Sequence, residues 1–318
     1  MQGTVVSHVR TEPKRVPDGG GAMRAAAVVV FYQPDAACFA RANRLAQVIP
    51  VVVVDNTPGS NAAQRGELAQ QIEYLPSGEN EGIAAALNRG VACLRAKDYE
   101  LALLLDQDSD PSSALIEGLL LAMSDLARDS RRKVAVAGPA YHDVRLGTVT
   151  PFVRFGKWRI SRVPAQGHEP LEIDFLISSG SCIDLSAWQD IGSMDVQLFI
   201  DFVDVEWCVR ARRAGYAVLG LPWLVLEHSL GDEPVTILGR RFAMHSAFRH
   251  YFIFRNALAL ALYRSYMPLS WKLWEVGKFP VRFIVYTLFS GQPRAQFAMI
   301  CRGIRDGLRN RLGPLSRL

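Results

Sequence analysis

The chain reads as an α/β protein: a mostly parallel central sheet with helices on both faces. Two features predict this. Apolar runs of strand length alternate with amphipathic stretches of helix length from residue 25 to residue 137. The runs also lack polar alternation, as in strands buried on both sides, and each stops at turn residues.

The elements follow in order. AAAVVVF at residues 25–31 is a first strand, ended by Pro34 and Asp35, and an apolar-periodic helix follows to about Val48. Residues 50–54 form a second strand, closing on Asp55-Asn56-Thr57-Pro58-Gly59, and residues 71–75 a third. Asn80 is positioned to cap a helix through Ala96 with Ile83, Leu87, Val91 and Leu94 on one face. A fourth strand at 100–105, a helix at 111–127 and a fifth strand at 133–137 complete the first half. Ligands of such sheets bind at the carboxyl ends of strands, and those ends carry Pro34, Asp55 and Asp106. In the second half, residues 173–177 read as a strand entering the turn Ser178-Ser179-Gly180-Ser181-Cys182. Asp204 stands where a helix opens that closes on Gly215. Residues 218–226 are strand-like, and Pro222 places an edge or a bulge there.

Composition sets bounds. At 318 residues, with 49% apolar and 21% charged residues, the chain can bury a sizeable core. Cys38, Cys93, Cys182, Cys208 and Cys301 are scattered, with no Cys-x-x-Cys pair, which argues against a zinc cluster or disulfide framework and for a reducing compartment. Residues 1–22 are polar, rich in Gly and Pro, and without the apolar core of a signal peptide, so a disordered N-terminal tail is expected. From Ile237 onward fourteen basic residues face only Glu275 and Asp306, so this segment carries +12 and residues 1–236 carry −7 of the formal +5. An acidic body with a basic, aromatic tail points to an anionic surface as partner. The longest uncharged stretch there, residues 283–293, is far short of the ~20 residues of a spanning helix. Packing on the body or a homo-oligomer contact are the other uses of such helices. No recognised nucleic-acid module accompanies the basic residues.

The chemistry centres on LALLLDQDSD, residues 101–110. Alternating carboxylates at a strand end repel each other and are costly to bury unpaired. A divalent cation relieves both, and carboxylate oxygens suit Mg²⁺ or Mn²⁺ together with a substrate phosphate. Asp106, Asp108, Asp110 and Glu117 also have EF-hand spacing, but Pro111 occupies the position that needs a sharp-turning Gly. A phosphatase with an aspartyl nucleophile would use the same Asp-x-Asp. Neither Gly-x-Gly-x-x-Gly after the first strand nor a Walker lysine loop is present, which disfavours a glycine cradle for phosphate.

Five motifs in order, VVVVDNT (51–57), NEGIAAALNRG (80–90), LLLDQDS (103–109), FIDFVDVEWCVR (199–210) and EHSLGD (227–232), resemble glycosyltransferase family 2, the inverting enzymes of GT-A fold. The chain is similar in particular to the bacterial rhamnosyltransferases that use dTDP-L-rhamnose. The resemblance implies that Tyr32, Pro34, Asp55, Asn80, Gly82 and Asp106 hold the donor nucleotide, with Asp108 and His228 on the metal. It implies that Asp204 is the catalytic base, with Asp201 as a rival, since Val203 replaces the first acid of the family's usual pair. Gly180, Ser181 and Asp201 would line the acceptor site. The implied partners are dTDP-L-rhamnose and a cell-surface or lipid-linked glycan; the charge and aromatic content of the tail add the inner face of the cytoplasmic membrane. The implied layout is a catalytic domain over residues 23–236 (donor half 23–137, acceptor half 138–236) and a helical region over 237–318. A transferase for UDP-galactofuranose or UDP-GlcNAc, or a catalytically silent binding protein, are the alternatives. Each residue also has a plainer role: Asp55 as a turn former, Asn80 and Asp204 as helix caps, Cys182 and Cys208 as packing.

Overall fold

The computed structural model describes residues 23–129, 132–143, 147–228, 235–237, 240–242 and 244–315. The expected tail at 1–22 and residues 229–232 of the EHSLGD motif lie outside them.

The first half is built of β1 (Ala25–Phe31), α1 (Ala36–Leu45), β2 (Val51–Asp55), β3 (Glu73–Pro76), α2 (Ile83–Arg95), β4 (Leu101–Asp106) and α3 (Ser113–Arg128). Its strands pair in parallel in the order β3-β2-β1-β4. Alternate residues of each strand enter opposite cores. Val28, Val30, Val52 and Leu104 pack with α2, while Val29, Val53, Leu103 and Leu105 pack with α1 and α3. Burial on both faces is why these strands read as unbroken apolar runs. Asp35 caps α1 by accepting from the Cys38 amide (2.9 Å), and Ser112 caps α3 by accepting from Leu115 (3.2 Å). Asn80 does not cap α2. The N-cap is Gly82 at φ +84°, and Asn80 Oδ1 instead accepts from the Gly82 amide (3.1 Å) and from Asn56 Nδ2 (3.0 Å).

The second half holds β5 (Val134–Asp143), β6 (Thr148–Thr150), β7 (Phe152–Phe155), β8 (Ile160–Val163), β9 (Leu171–Glu172) and β10 (Ser181–Asp184). After them come α4 (Leu185–Ile191), α5 (Val203–Arg213) and β11 (Ala217–His228). The sheet continues β4-β10-β5-β11-β9, and β6 pairs with β5. Here the sequence reading needs correction. Residues 173–177 are not a strand; Ile173 and Leu176 are buried as loop side chains. The strand is β10, starting inside the expected turn and lying antiparallel between β4 and β5. Pro222 falls in a register break between Leu221 and Val225 of β11, a bulge inside the sheet.

The C-terminal region contributes β12 (Val235–Ile237), β13 (Arg240–Phe242), α6 (Ala247–Tyr263), α7 (Leu269–Gly277), α8 (Phe279–Phe289) and α9 (Pro293–Leu308). Helix α6 is buried from His250 to Leu260, and its Tyr251 and Phe252 share a core with Phe199. Gly303 and Gly307 let α9 approach α6, since a Cβ on Gly303 would lie 2.4 Å from the Tyr251 carbonyl oxygen. Among the described residues no helix is long and apolar enough to cross a membrane. Backbone cannot yield at such a contact as a side-chain tip can. Gly303→Ala is therefore expected to destabilise the fold by about 1–3 kcal/mol, read as a lower urea midpoint.

Candidate active site

A cleft of about 1060 Å³ is lined by Asp106, Asp108, Ser178, Ser179, Asp201 and Asp204, among others. Sheet register places its acidic rim. Across β1, Phe31 pairs with Asp55 on one side and Val30 with Asp106 on the other. Two carboxylates thus flank the carboxyl end of one strand. Asp106 is half-buried and Asp108 exposed. The turn they share is tied to the facing loop: the Asp106 amide donates to Ser179 Oγ (3.3 Å), and the Ser109 and Ser179 hydroxyls meet at 2.5 Å. Tyr141 donates to the Ser179 carbonyl (2.9 Å).

Asp204 is the second residue of α5, not its cap; the N-cap is Phe202, left-handed at φ +66°. Helix-dipole reasoning gives this carboxylate a lowered pKa. The structure reverses that sign. Burial raises it from 3.8 to about 6, the charge of Asp201 pushes the same way, and backbone hydrogen bonds such as that from the Val205 amide (2.8 Å) only partly oppose. Burial raises Asp201 as well, against the pull of Arg249, whose Nε and Nη2 both reach Oδ1 at 3.1 Å. Asp201 is thus committed to an ion pair with α6, whereas Asp204 has only backbone donors in its hydrogen-bond set.

The loop carrying both acids is strained. Phe199, Asp201 and Phe202 all have positive φ, between 64° and 66°, which costs each non-glycine residue about 1–3 kcal/mol. Asn256, fully buried on α6, holds it there. Its Nδ2 donates to the carbonyls of Leu198 (2.8 Å), Ile200 (2.8 Å) and Asp201 (3.1 Å). The buried guanidinium of Arg255 adds the carbonyls of Gln197 and Leu198. Gly82 closes the contact from α2: a Cβ there would lie 2.5 Å from the Phe199 carbonyl, which the Ile83 amide meets at 2.8 Å.

Of the residues expected from sequence, Asp106, Asp108, Asp201 and Asp204 meet in this cleft. Tyr32, Pro34, Asp55, Asn80 and Gly82 stand outside its lining, around the carboxyl ends of β1 and β2. Asp55 is buried and accepts from Tyr74 Oη (2.5 Å) and the Thr57 amide (2.9 Å). Gly180 and Ser181 do not line the cleft. Both are buried: Gly180 turns at φ +85° with its amide on the Leu104 carbonyl, and Ser181 Oγ donates to Ile177 (2.6 Å). Ser178 and Ser179 of the same turn take their place. The His228 side chain lies outside what is described, and among the described residues no three His, Cys, Asp or Glu side chains cluster as a metal site. Sequence reasoning missed Gln107, whose side-chain amide pairs reciprocally with the Tyr32 backbone (2.7 and 3.1 Å) and locks β1 to β4. It also missed Asn256, which has no local signature in an apolar helix. Glu206 is spent on Arg210 (2.6 Å) and Tyr266 (2.6 Å), and burial pushes the Cys208 thiol up to about 12.

A parallel β3-β2-β1-β4 half, a reversed strand and an acidic cleft at the strand ends define a nucleotide-sugar transferase architecture of GT-A type. GalNAc-T7, solved with UDP, GalNAc and Mn²⁺, superposes with a TM-score of 0.58 at 13% identity over 92% of this chain and 57% of its own. TarS of S. aureus in complex with UDP-GlcNAc gives 0.51 at 14% identity, over 90% and 81%. The chain thus spans little more than half of the GalNAc-T7 chain. No family model matches. The dTDP-rhamnosyl transferase RfbF of Shigella flexneri is 33% identical over 230 residues, 71% of this chain and 75% of RfbF. The low-salt glycan biosynthesis hexosyltransferase Agl10 of Haloferax volcanii is 24% identical over 68% of this chain and 70% of its own. The chain belongs to glycosyltransferase family 2, with the bacterial dTDP-rhamnosyltransferases.

Removing the Asn256 amide takes away the donor it supplies to the Ile200 and Asp201 carbonyls and frees a strained loop. Asn256→Leu is expected to cost about 2 kcal/mol or more in denaturant unfolding and to make residues 198–202 the first site of limited proteolysis.

Proposed function

We propose that this glycosyltransferase moves L-rhamnose from dTDP-L-rhamnose to a hydroxyl of a cell-surface or lipid-linked glycan, with inversion at the anomeric carbon. The observation that carries the reading is the placement of Asp204 in one cleft with the strand-end pair Asp106 and Asp108, where burial pushes its carboxyl up to about 6. Similarity to RfbF supports the donor.

Asp204 takes the proton of the acceptor hydroxyl. A pKa near 6 leaves it ionised at neutral pH yet more basic than an ordinary carboxylate, as a general base needs. The acceptor oxygen attacks the anomeric carbon from the face opposite the diphosphate, and the bond to the diphosphate breaks. Asp201, held by Arg249, keeps the loop in place. Tyr32, Pro34, Asp55, Asn80 and Gly82 take the nucleoside in the donor half, and Ser178 and Ser179 face the acceptor. Asp106 and Asp108 fit Mg²⁺ or Mn²⁺: one or two carboxylates with substrate phosphates completing the shell is the common donor set of Mg²⁺, and exposed Asp108 leaves room for both. His228 is the proposed third ligand. The metal, when bound, neutralises charge growing on the leaving diphosphate. The donor half is 23–137 and the acceptor half 138–236; the basic region from 237 holds the enzyme at the inner face of the cytoplasmic membrane.

The test is transfer from a panel of sugar nucleotides; dTDP-L-rhamnose is the expected donor, and preference for a UDP-sugar overturns that choice. Asp204→Asn should bind donor normally yet lose about 10²–10⁴-fold in single-turnover transfer, with Asp201→Asn losing less. The reverse order moves the base to Asp201. The wild-type rate should rise with pH through about 6 as Asp204 ionises. Stability has the opposite sign. With the folded pKa above the unfolded one, the folded state binds more protons between about pH 4 and 6, so stability falls as pH rises through that window. Asp204→Asn should therefore melt higher than wild type at pH 7.5, with the gap closing by pH 4. Asp108→Ala should abolish metal-promoted dTDP binding in calorimetry without lowering the melting temperature.

A further inference from the structure

The cleft opens onto an apolar helical face. On α7 and α8, Leu273, Trp274, Val281, Ile284, Leu288 and Phe289 are each 48–66% exposed. Six exposed large apolar residues on two successive helices mark an interaction site rather than ordinary solvent-facing protein. Its charges are one-sided. Glu275 is the only acid from Leu269 to Phe297, and it is buried and paired with Lys278 and Arg282 (2.9 Å). Lys272 on α7 adds a further cation, and Lys278 and Arg282 together outnumber the one acid they pair with. Trp274 and Lys278 also line the catalytic cleft, so the face and the cleft mouth are continuous.

We infer that the α7–α8 face docks on the surface of a bilayer bearing anionic lipids and holds the cleft mouth at headgroup level. Apolar side chains enter the headgroup boundary while the basic residues meet lipid phosphates. Charge selects lipid over a second copy of the chain. Two such faces brought together would appose Lys272, Lys278 and Arg282 of each against one buried Glu275 apiece. Trp274 suits the position, as an aromatic ring with a polar N–H favours the interface between water and hydrocarbon. An acceptor anchored in the bilayer then reaches Asp204 through the shared mouth without leaving the membrane. The inference rests on the transferase reading and gives it a source of acceptor.

The full-length protein is floated with vesicles of phosphatidylcholine, with and without phosphatidylglycerol. Wild type should float with the anionic vesicles and be released by high salt. Leu273→Glu/Ile284→Glu changes exposed residues outside the cleft and should lower the bound fraction by roughly tenfold or more. Brominated phosphatidylcholine in the anionic vesicles should quench tryptophan fluorescence of wild type, and Trp274→Phe should lose most of that quenching. Equal flotation of the double variant, or quenching that survives Trp274→Phe, overturns the inference. So does a wild-type dimer that fails to float and is split by the double substitution, which assigns the face to a second copy. Hydrolysis of dTDP-L-rhamnose without vesicles reports on the transferase reading alone. It should be equal in wild type and double variant; its absence from both, with flotation as expected, defeats the donor reading and leaves the docking face standing.

Discussion

The amide of Asn256 is the contact on which the loop at the cleft depends. The two N–H groups of one buried side chain from α6 are shared among the carbonyls of Leu198, Ile200 and Asp201, and Leu198 also accepts from the Ile200 amide and Arg255. Without the Asn256 amide, the left-handed residues Phe199, Asp201 and Phe202 would relax toward ordinary backbone, and the start of α5 would move with them. The strain is therefore sustained from outside the loop. Arg249 and Arg255 on the same helix reinforce it, by an ion pair to Asp201 and by bonds to the preceding carbonyls. The C-terminal helices thus complete the α/β body. A boundary drawn at residue 236 divides the chain by composition, while the core around Phe199, Tyr251 and Phe252 runs across it.

Asp204 shows how two correct principles can give opposite answers. A helix N-terminus lowers a carboxylate pKa by a modest, local amount. Removal from water raises it, by several units where burial is complete. Position along the helix is visible in FIDFVDVEWCVR, and the degree of desolvation is not, because α6, α7 and the β7–β8 hairpin that enclose the site lie far away in sequence. The same contrast separates Asp204 from Asp201. Both are acids three residues apart, and only the tertiary partner Arg249 assigns one of them to structure.

What was legible follows a similar division. β1, β2 and β4 were plain in the sequence because double-sided burial leaves continuous apolar runs, and the strand-end acids came with them. The class of protein was legible because five motifs recur in order. β10 was hidden. Its four residues, Ser-Cys-Ile-Asp, carry little strand character, and its place between β4 and β5 is decided by neighbours on both sides. The apolar residues 173–177 read as the strand instead, since periodicity reports burial and not ladder pairing. Gly180 and Ser181, which the resemblance puts at the acceptor site, stand at the entry of β10, and the residues of that turn that line the cleft are Ser178 and Ser179.

The reversed strand also constrains the order in which the molecule can assemble. β4 and β5 are consecutive strands of the sheet, yet neither touches the other; each waits for a four-residue segment some forty to eighty positions later in the chain. During synthesis the first half therefore emerges with two unsatisfied strand edges, one of them ending at Asp106. Closure of the sheet and creation of the cleft become a single late, non-local event, which slows folding and leaves an interval of edge exposure. A half-length fragment ending before residue 181 would inherit that open gap permanently and stick to its own kind.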